Sequence, residues 1–359
     1  MVSQSNKIFV VGATGFIGSR LVEKLVLYYE QSPLCLVRDF SKLSKISRFK
    51  VDIVGGDVLN VKDFEEDVKV CDVYIVSVHG KETEQEHNWL VNTQGTKNLL
   101  DLAVNNNVKH FVFLSTTAIY EENHRKGTFL EDSIPVCNKK DYAGGKLEAE
   151  KLCLEYSERY DLNITILRPT IVYGPFAPTF TMYPAALIKR GVLKNYGFFN
   201  GVCNPVYIED VVDVIIECVL NDKTYNEIFN ISSGETLSWL EFFNYYANII
   251  NGYNIPRNSY SQYLLRSLPV GIVKRGAKSA LKMAPGLTKL IYQRIKSHGS
   301  GDWSWVQGED ITTLNPEMYK KELIFPVGKM KTVLGYQPKY DIQNGMEVTG
   351  RWLKYANLV

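Results

Sequence analysis

No stretch of this 359-residue chain strings together the roughly 18 apolar residues of a membrane span, which excludes a multi-span membrane protein. Cysteine is sparse and scattered: Cys35, Cys71, Cys137, Cys153, Cys203 and Cys218 form no CxxC pair. A chain of this size can bury a core without cross-links. The six are therefore expected to be reduced thiols of a cytoplasmic protein, not a disulfide framework or a zinc site. His79, His87, His110, His124 and His298 lack metal-ligand spacing, so no metal is expected. Excess charge is missing too. Lys and Arg number 41 against 39 Asp and Glu, a formal net charge of +2, and no nucleic-acid partner is expected. The polar start (Met1–Lys7) has no charged-then-apolar leader, so no secretory signal is expected. No unit of about 20–50 residues repeats. The remaining balance, 45% hydrophobic and 22% charged, is that of a soluble globular protein, with a length suited to about two lobes.

One absence is local. Between Glu241 and Asp302 there is no acidic residue, while Arg257, Arg266, Lys274, Arg275, Lys278, Lys282, Lys289, Arg294 and Lys296 alternate with leucine, isoleucine and valine. Such a basic amphipathic segment, 257–296, can lie peripherally on an anionic membrane surface or face an anionic partner. A solvated basic face on ordinary helices gives the same pattern.

What is present is alternation. Short apolar runs occur at Lys7–Val11, Leu34–Val37, Val51–Val54, Val73–Val78, Phe111–Leu114 and Asn163–Leu167. Helical spacing separates them at Phe16–Tyr29, Asn92–Val104 and Tyr142–Tyr160. Strands alternating with helices predict an α/β fold: a doubly wound, mainly parallel sheet with helices on both faces. Residues 1–175 form the expected dinucleotide-binding domain, with 204–235 returning to it. Residues 176–203 and 236–359 form the expected smaller, mixed C-terminal substrate lobe.

Gly12-Ala13-Thr14-Gly15-Phe16-Ile17-Gly18 follows the first strand and opens the first helix. That context makes a weak glycine pattern informative. Gly12 allows a tight turn, Gly15 allows close approach of a pyrophosphate, and Gly18 lets helix pack on strand. The helix N-terminus offers oriented N–H groups to phosphates. The second strand ends in Arg38-Asp39, with Lys42 following. A carboxylate at this point would select NAD through ribose hydroxyls, and an arginine accommodates the extra phosphate of NADP. Arg38 favours NADP, and the late Asp39 leaves NAD open. Asp57-Val58 ends the third strand, where Asp57 can meet the adenine or cap a loop.

Together with Asn92-Thr93-Gln94-Gly95-Thr96, Ser115-Thr116-Thr117, Tyr142-Ala143-Gly144-Gly145-Lys146, Arg168–Pro175 and Asn230–Glu235, these motifs give the chain a clear resemblance. It resembles the extended short-chain dehydrogenase/reductases, the NAD-dependent epimerase/dehydratase family, across most of residues 7–235. The Arg168-Pro169-Thr170 run is closest to the 3β-hydroxysteroid-dehydrogenase-like branch. The resemblance implies a Rossmann fold, a small-molecule substrate and a homodimer. It further implies cofactor contacts at Gly12, Thr14, Gly15, Phe16, Ile17, Gly18, Arg38, Asp57, Val58, Ser77, Val78, His79, Ser115, Tyr142, Lys146, Pro169, Thr170, Ile171 and Val172. His79 departs from the small residues usual there.

Tyr142 and Lys146 stand four apart on one helical face. A nearby ammonium favours tyrosinate and brings Tyr142 toward use as a general acid or base. The family's lysine also holds the nicotinamide ribose. Thr116 is expected to orient the reacting oxygen, since the family's Ser/Thr sits four before a tyrosine, here Tyr120. Catalysis is thus expected from Thr116, Tyr142 and Lys146.

The reaction is narrowed by two departures. Family dehydratases carry an acidic pair after the catalytic threonine, where this chain has Thr117-Ala118. Many epimerases carry asparagine after the arginine-led strand, where this chain has Pro169-Thr170. The expected function is an NADP-dependent oxidoreductase moving hydride between nicotinamide and a secondary alcohol or ketone of an apolar or amphipathic substrate. Tyr173, Phe176, Phe180, Tyr183, Phe198 and Phe199 would line its pocket or form core. The alternative is a nucleotide-sugar epimerase with tightly held NAD(P). A non-catalytic NADP-sensing protein would be expected to lose the tyrosine–lysine pair, and both residues are present.

Overall fold

The computed structural model describes residues 6–78, 85–122, 124–252, 254–259, 261 and 314–359. His79 and, of the basic segment 257–296, all of 262–296 therefore lie outside the described residues. Among those described, no helix is long and apolar enough to cross a membrane.

The short apolar runs form β1 (Ile8–Val11), β2 (Leu34–Val37), β3 (Asp52–Gly55), β4 (Val73–Val76) and β5 (His110–Leu114). After the short strand β6 (Lys126–Thr128) come β7 (Ile164–Pro169), β8 (Ile171–Tyr173), β9 (Val202–Cys203), β10 (Pro205–Tyr207) and β11 (Ile228–Ile231). A seven-stranded sheet runs in the order β3-β2-β1-β4-β5-β7-β11. Its pairings are parallel throughout. Every residue of β1, β4, β5 and β7 is buried, as a sheet covered on both faces demands. The helices are α1 (Phe16–Tyr29), α2 (Gln85–Asn105), α3 (Tyr142–Tyr160), α4 (Tyr183–Lys189) and α5 (Ile208–Leu220). This is the Rossmann arrangement. Strand order reverses between β1 and β4, which opens a crevice at the carboxyl ends of those strands.

The rest of the described chain adds β12 (Leu237–Ser238), α6 (Trp239–Asn251), β13 (Glu322–Ile324), α7 (Gly328–Val333) and α8 (Ile342–Tyr355). The chain divides into two compact units. The first comprises Met1–Phe180, Asn204–Thr236 and Glu322–Thr349. The return of Glu322–Thr349 corrects the sequence expectation, which gave all of 236–359 to the substrate lobe. Two observations explain it. Strand β13 pairs with β6. Buried Asp210, in the first turn of α5, accepts hydrogen bonds from the Tyr336 hydroxyl at 2.7 Å and the Lys339 amide at 2.7 Å. Without this segment a buried carboxylate would lack those donors.

The second unit comprises Thr181–Cys203, Leu237–Lys321 and Gly350–Val359. Strand β12 pairs antiparallel with β9, and α6 opens with a reciprocal cap between Ser238 and Glu241. Phe198 and Phe199, each 1% exposed, pack with Phe243 and Tyr319. They are part of the core of this unit.

Candidate active site

The glycine-rich turn after β1 is shaped by close approach. Gly12 has φ +84°, and a Cβ there would lie 2.3 Å from the Ser77 carbonyl oxygen. A Cβ on Gly18 would lie 2.1 Å from the Gly12 carbonyl oxygen. The turn thus seats α1 directly against β1 and the end of β4, where the Ser77 amide donates to the Val11 carbonyl at 3.1 Å. Gly15 is exposed and is the N-cap of α1, and no side chain caps it. Thr14, Phe16 and Ile17 are half-buried around it. An uncapped first turn presents backbone donors and a partial positive charge. Nearby, at the end of β5, the buried Ser115 hydroxyl has no hydrogen-bond partner. A bare helix start, a turn without side-chain bulk and an orphaned hydroxyl fit a dinucleotide.

At the ends of β2 and β3, Arg38 Nη1 lies 3.6 Å from Asp57 Oδ2, with the side chains 41% and 31% exposed. Asp57 Oδ1 also accepts from the Leu59 amide at 2.9 Å. Asp39 instead caps the following 3₁₀ turn, accepting from the Ser41 amide at 3.0 Å and the Ser41 hydroxyl at 2.6 Å. Val58 is buried under Gly95, and its carbonyl accepts from Asn98.

Beyond β4 the sheet ends carry the remaining residues. Thr116 caps a 3₁₀ turn, its Oγ1 accepting from the Ala118 amide at 3.2 Å. The Thr117 hydroxyl is buried and donates to the Pro169 carbonyl at 3.4 Å. Helix α3 starts at Tyr142, which is half-buried, because the Asp141 carboxylate caps it by accepting from the Gly144 amide at 3.1 Å. Gly144 and Gly145 let α3 close on its surroundings. A Cβ on Gly144 would lie 1.8 Å from the Lys139 carbonyl oxygen, and one on Gly145 would lie 3.3 Å from Asn92 of α2.

One turn on, Lys146 is 3% exposed. Its ammonium donates to the Val78 and Leu114 carbonyls, each at 2.8 Å, and lies 4.9 Å from the centre of the Phe113 ring. Burial pushes its pKa down to about 7, while Cys153 and Glu150 pull it upward. Pro169 ends β7 beside Ile231, and Thr170 donates to the Ile231 carbonyl at 3.1 Å. Ile171 and Val172 are half-buried on β8, paired with β10.

The structure therefore gathers Ser77, Val78, Ser115, Thr116, Lys146 and Pro169 around neighbouring strand ends. Arg38, Asp57 and Val58 belong to the opposite flank of β1. Sequence reasoning missed Glu150 as a site neighbour, and with it the buried partners of Arg168. The available signal was spacing, since Glu150 follows Lys146 by one helical turn. The five cysteines Cys35, Cys71, Cys153, Cys203 and Cys218 are buried thiols, and burial pushes Cys35 up to about 12.

The "NAD dependent epimerase/dehydratase family" model matches residues 8–232. UDP-glucose 4-epimerase of Vibrio cholerae is 30% identical over 242 residues, covering 65% of this chain and 73% of that protein. The decarboxylating sterol-4-alpha-carboxylate 3-dehydrogenase of Candida albicans is 24% identical, covering 98% of this chain and 99% of that one. Among solved structures, UDP-glucose 4-epimerase of Thermotoga maritima with UDP-glucose aligns at a TM-score of 0.72 with 20% identity, covering 98% and 99% of the two chains. That structural likeness establishes the fold. The family match supplies the rest: this chain belongs to the NAD dependent epimerase/dehydratase family, whose enzymes work with a nicotinamide dinucleotide.

Proposed function

We propose that this chain is an NADP-linked oxidoreductase acting on a secondary alcohol or ketone of an apolar or amphipathic small molecule. The observation that carries the reading is the assembly of Thr116 and Lys146 at adjacent strand ends, with Tyr142 on the face of α3 that bears Lys146. When bound, the nicotinamide supplies or accepts the hydride. Tyr142 moves the hydroxyl proton. Thr116 orients the reacting oxygen: its own oxygen already accepts from Ala118, so its O–H is the part left to donate. Thr117 spends its proton on Pro169, which favours Thr116 for this role. Lys146 favours tyrosinate when charged and holds the ribose. The Gly12–Gly18 turn binds the pyrophosphate, and Ser77, Val78, His79, Ser115 and Pro169–Val172 flank the nicotinamide.

The preference for NADP rests on Arg38. Asp39, the carboxylate that could hold ribose hydroxyls, is committed to the Ser41 turn, and Arg38 has only a long, half-exposed pairing to exchange for a phosphate. The apolar substrate is supported by the sterol-acting relative, whose similarity runs the length of the chain. The same reading places the protein in the cytoplasm as a homodimer, with 257–296 as a peripheral contact to an anionic surface. The basic composition of that segment is its support, and a failure to float with anionic liposomes at low salt would reject it.

A second reading, nucleotide-sugar epimerase, is favoured by the 30% identity to the Vibrio enzyme. Turnover separates the two. Ketone-dependent oxidation of NADPH is expected here, and an epimerase would interconvert nucleotide sugars without net oxidation. A Tyr142→Phe variant should bind cofactor yet lose about 10²–10⁴-fold in turnover. Undiminished turnover would remove Tyr142 from the mechanism.

A further inference from the structure

Behind the candidate site lies a charged network that the chemistry above does not use. Glu150 on α3 and Arg168 on β7 have side chains only 2% and 3% exposed. Arg168 Nε donates to both Glu150 carboxylate oxygens at 3.0 and 3.2 Å, and Nη2 donates to Oε2 at 2.6 Å. Its Nη1 donates to the Tyr120 hydroxyl and, at 3.1 Å, to the Glu131 carbonyl. The Tyr120 hydroxyl donates onward to the Leu130 carbonyl. The Glu131 carboxylate accepts from the Asn230 amide at 3.0 Å, and the Asn230 side chain donates to the Phe129 carbonyl at 3.1 Å.

Removing two charges from water is costly, and an apolar pair would fill such a space more simply. What an apolar pair lacks is direction. A planar guanidinium fixes its partners in angle as well as distance. The partners here are not arbitrary. Glu150 lies one turn beyond Lys146. Tyr120 ends the turn that Thr116 caps. Arg168 immediately precedes Pro169, whose carbonyl accepts from Thr117.

We propose that Glu150 and Arg168 are positioning residues for the reaction: the pair locks α3 to β7 and, through Tyr120, to the Thr116 turn, and so aligns Lys146 with Thr116. The inference rests on the catalytic reading above for what is aligned, but not for the lock itself. The lock also has an electrostatic side. Lys146 is faced by the Val78 and Leu114 carbonyls and the Phe113 ring from the strands, and by Cys153 and Glu150 from its own helix. Glu150 raises the affinity of Lys146 for its proton, and Arg168 holds the Glu150 carboxylate from β7. Arg168 is itself faced by Glu150, Tyr120 and Glu131, and Tyr120 by Arg168, Glu150, Glu131 and Asp132.

The test uses the full chain and three variants: Glu150→Gln, Tyr120→Phe, and the double variant Glu150→Leu with Arg168→Met. Three quantities are measured: NADPH affinity, kcat with its pH profile, and the titration of Lys146 by NMR of ¹³C-labelled lysine without cofactor. Glu150→Gln leaves Arg168 uncompensated, so the Lys146 midpoint should fall by about one pH unit. Tyr120→Phe keeps the ring packed against Phe129 and Phe325 and should lower kcat roughly 3- to 10-fold. The double variant should bind NADPH within about threefold of the parent and lose at least about tenfold in kcat. Parental kcat and pH profile in both Tyr120→Phe and the double variant would overturn the proposal. If the double variant fails to fold, parental kcat in Tyr120→Phe overturns it alone. The Lys146 titration needs no turnover, so an unmoved midpoint in Glu150→Gln counts against this inference, whereas full activity in Tyr142→Phe counts against the catalytic reading.

Discussion

Two arginine–carboxylate pairs occupy opposite flanks of the same sheet, and they differ in almost every physical respect. Arg168 and Glu150 meet at 2.6 Å with side chains 3% and 2% exposed. Arg38 and Asp57 stand 3.6 Å apart with 41% and 31% exposure. The buried pair has no water to fall back on, so each charge depends on the other and on Tyr120 and the Glu131 carbonyl. The exposed pair is screened and loosely held, so Arg38 can trade Asp57 for a better anion at little expense. The same two residue types serve as a fixed joint in one place and as an exchangeable contact in the other. Burial, not residue identity, decides which.

The comparison can be broken most forcefully at its buried end. Arg168→Ala should destabilise the protein by about 3–5 kcal/mol, because it strands the Glu150 carboxylate. Urea unfolding would measure this, and a loss under about 1 kcal/mol would mean that water reaches the pair.

His110 then asks whether burial alone has similar force. Its Nε2 lies 2.7 Å from Thr165 Oγ1, and burial pushes its pKa down to about 4. Since Thr165 donates to the Thr224 carbonyl, the ring N–H is the donor in that contact. Below an ordinary histidine pKa near 6.5, the unfolded chain takes up a proton that the folded chain refuses. His110 therefore contributes stability in full above about pH 6.5, and loses about 3 kcal/mol of it as pH falls toward 4. His110→Asn should flatten that part of the stability–pH curve. An unchanged curve in urea melts across this range would assign the slope elsewhere.

At the exposed end, Arg38→Ala should weaken NADPH binding about tenfold and leave NADH binding nearly unaffected, as fluorescence titration would show. Equal losses for both cofactors would end the case for NADP. The smallest effect is expected from Asp57→Asn, within about 0.5 kcal/mol in thermal stability. A larger loss would show that the exposed pair is structural after all.

The pairs also mark what could be read without a structure. The strands β1, β4 and β5 were legible because complete burial leaves continuous apolar runs ended by turns. The Gly12–Gly18 turn was legible because close approach of backbones admits glycine alone. Tyr142 and Lys146 were legible as a pair because helical spacing fixes their shared face. Glu150 and Glu131 were not, since a charged residue in a helix or loop usually faces water and nothing local marks the exception. Nor was the return of Glu322–Thr349, which depends on a three-residue strand and on Asp210 finding donors far along the chain. Interactions between distant segments leave little trace in either segment alone.

The turn at Gly12–Gly18 has an unusual vulnerability. Where most sites are disabled by taking atoms away, this one is disabled by adding a single carbon, because a methyl at Gly12 or Gly18 would coincide with backbone oxygen. No side chain swinging aside can make room, since the nearest obstacles are main-chain atoms: the Ser77 carbonyl just past β4 and the backbone of Gly12 and Ala13 in the turn itself. In any population of variants, therefore, alanine at these two positions should be as rare as proline in the middle of β1.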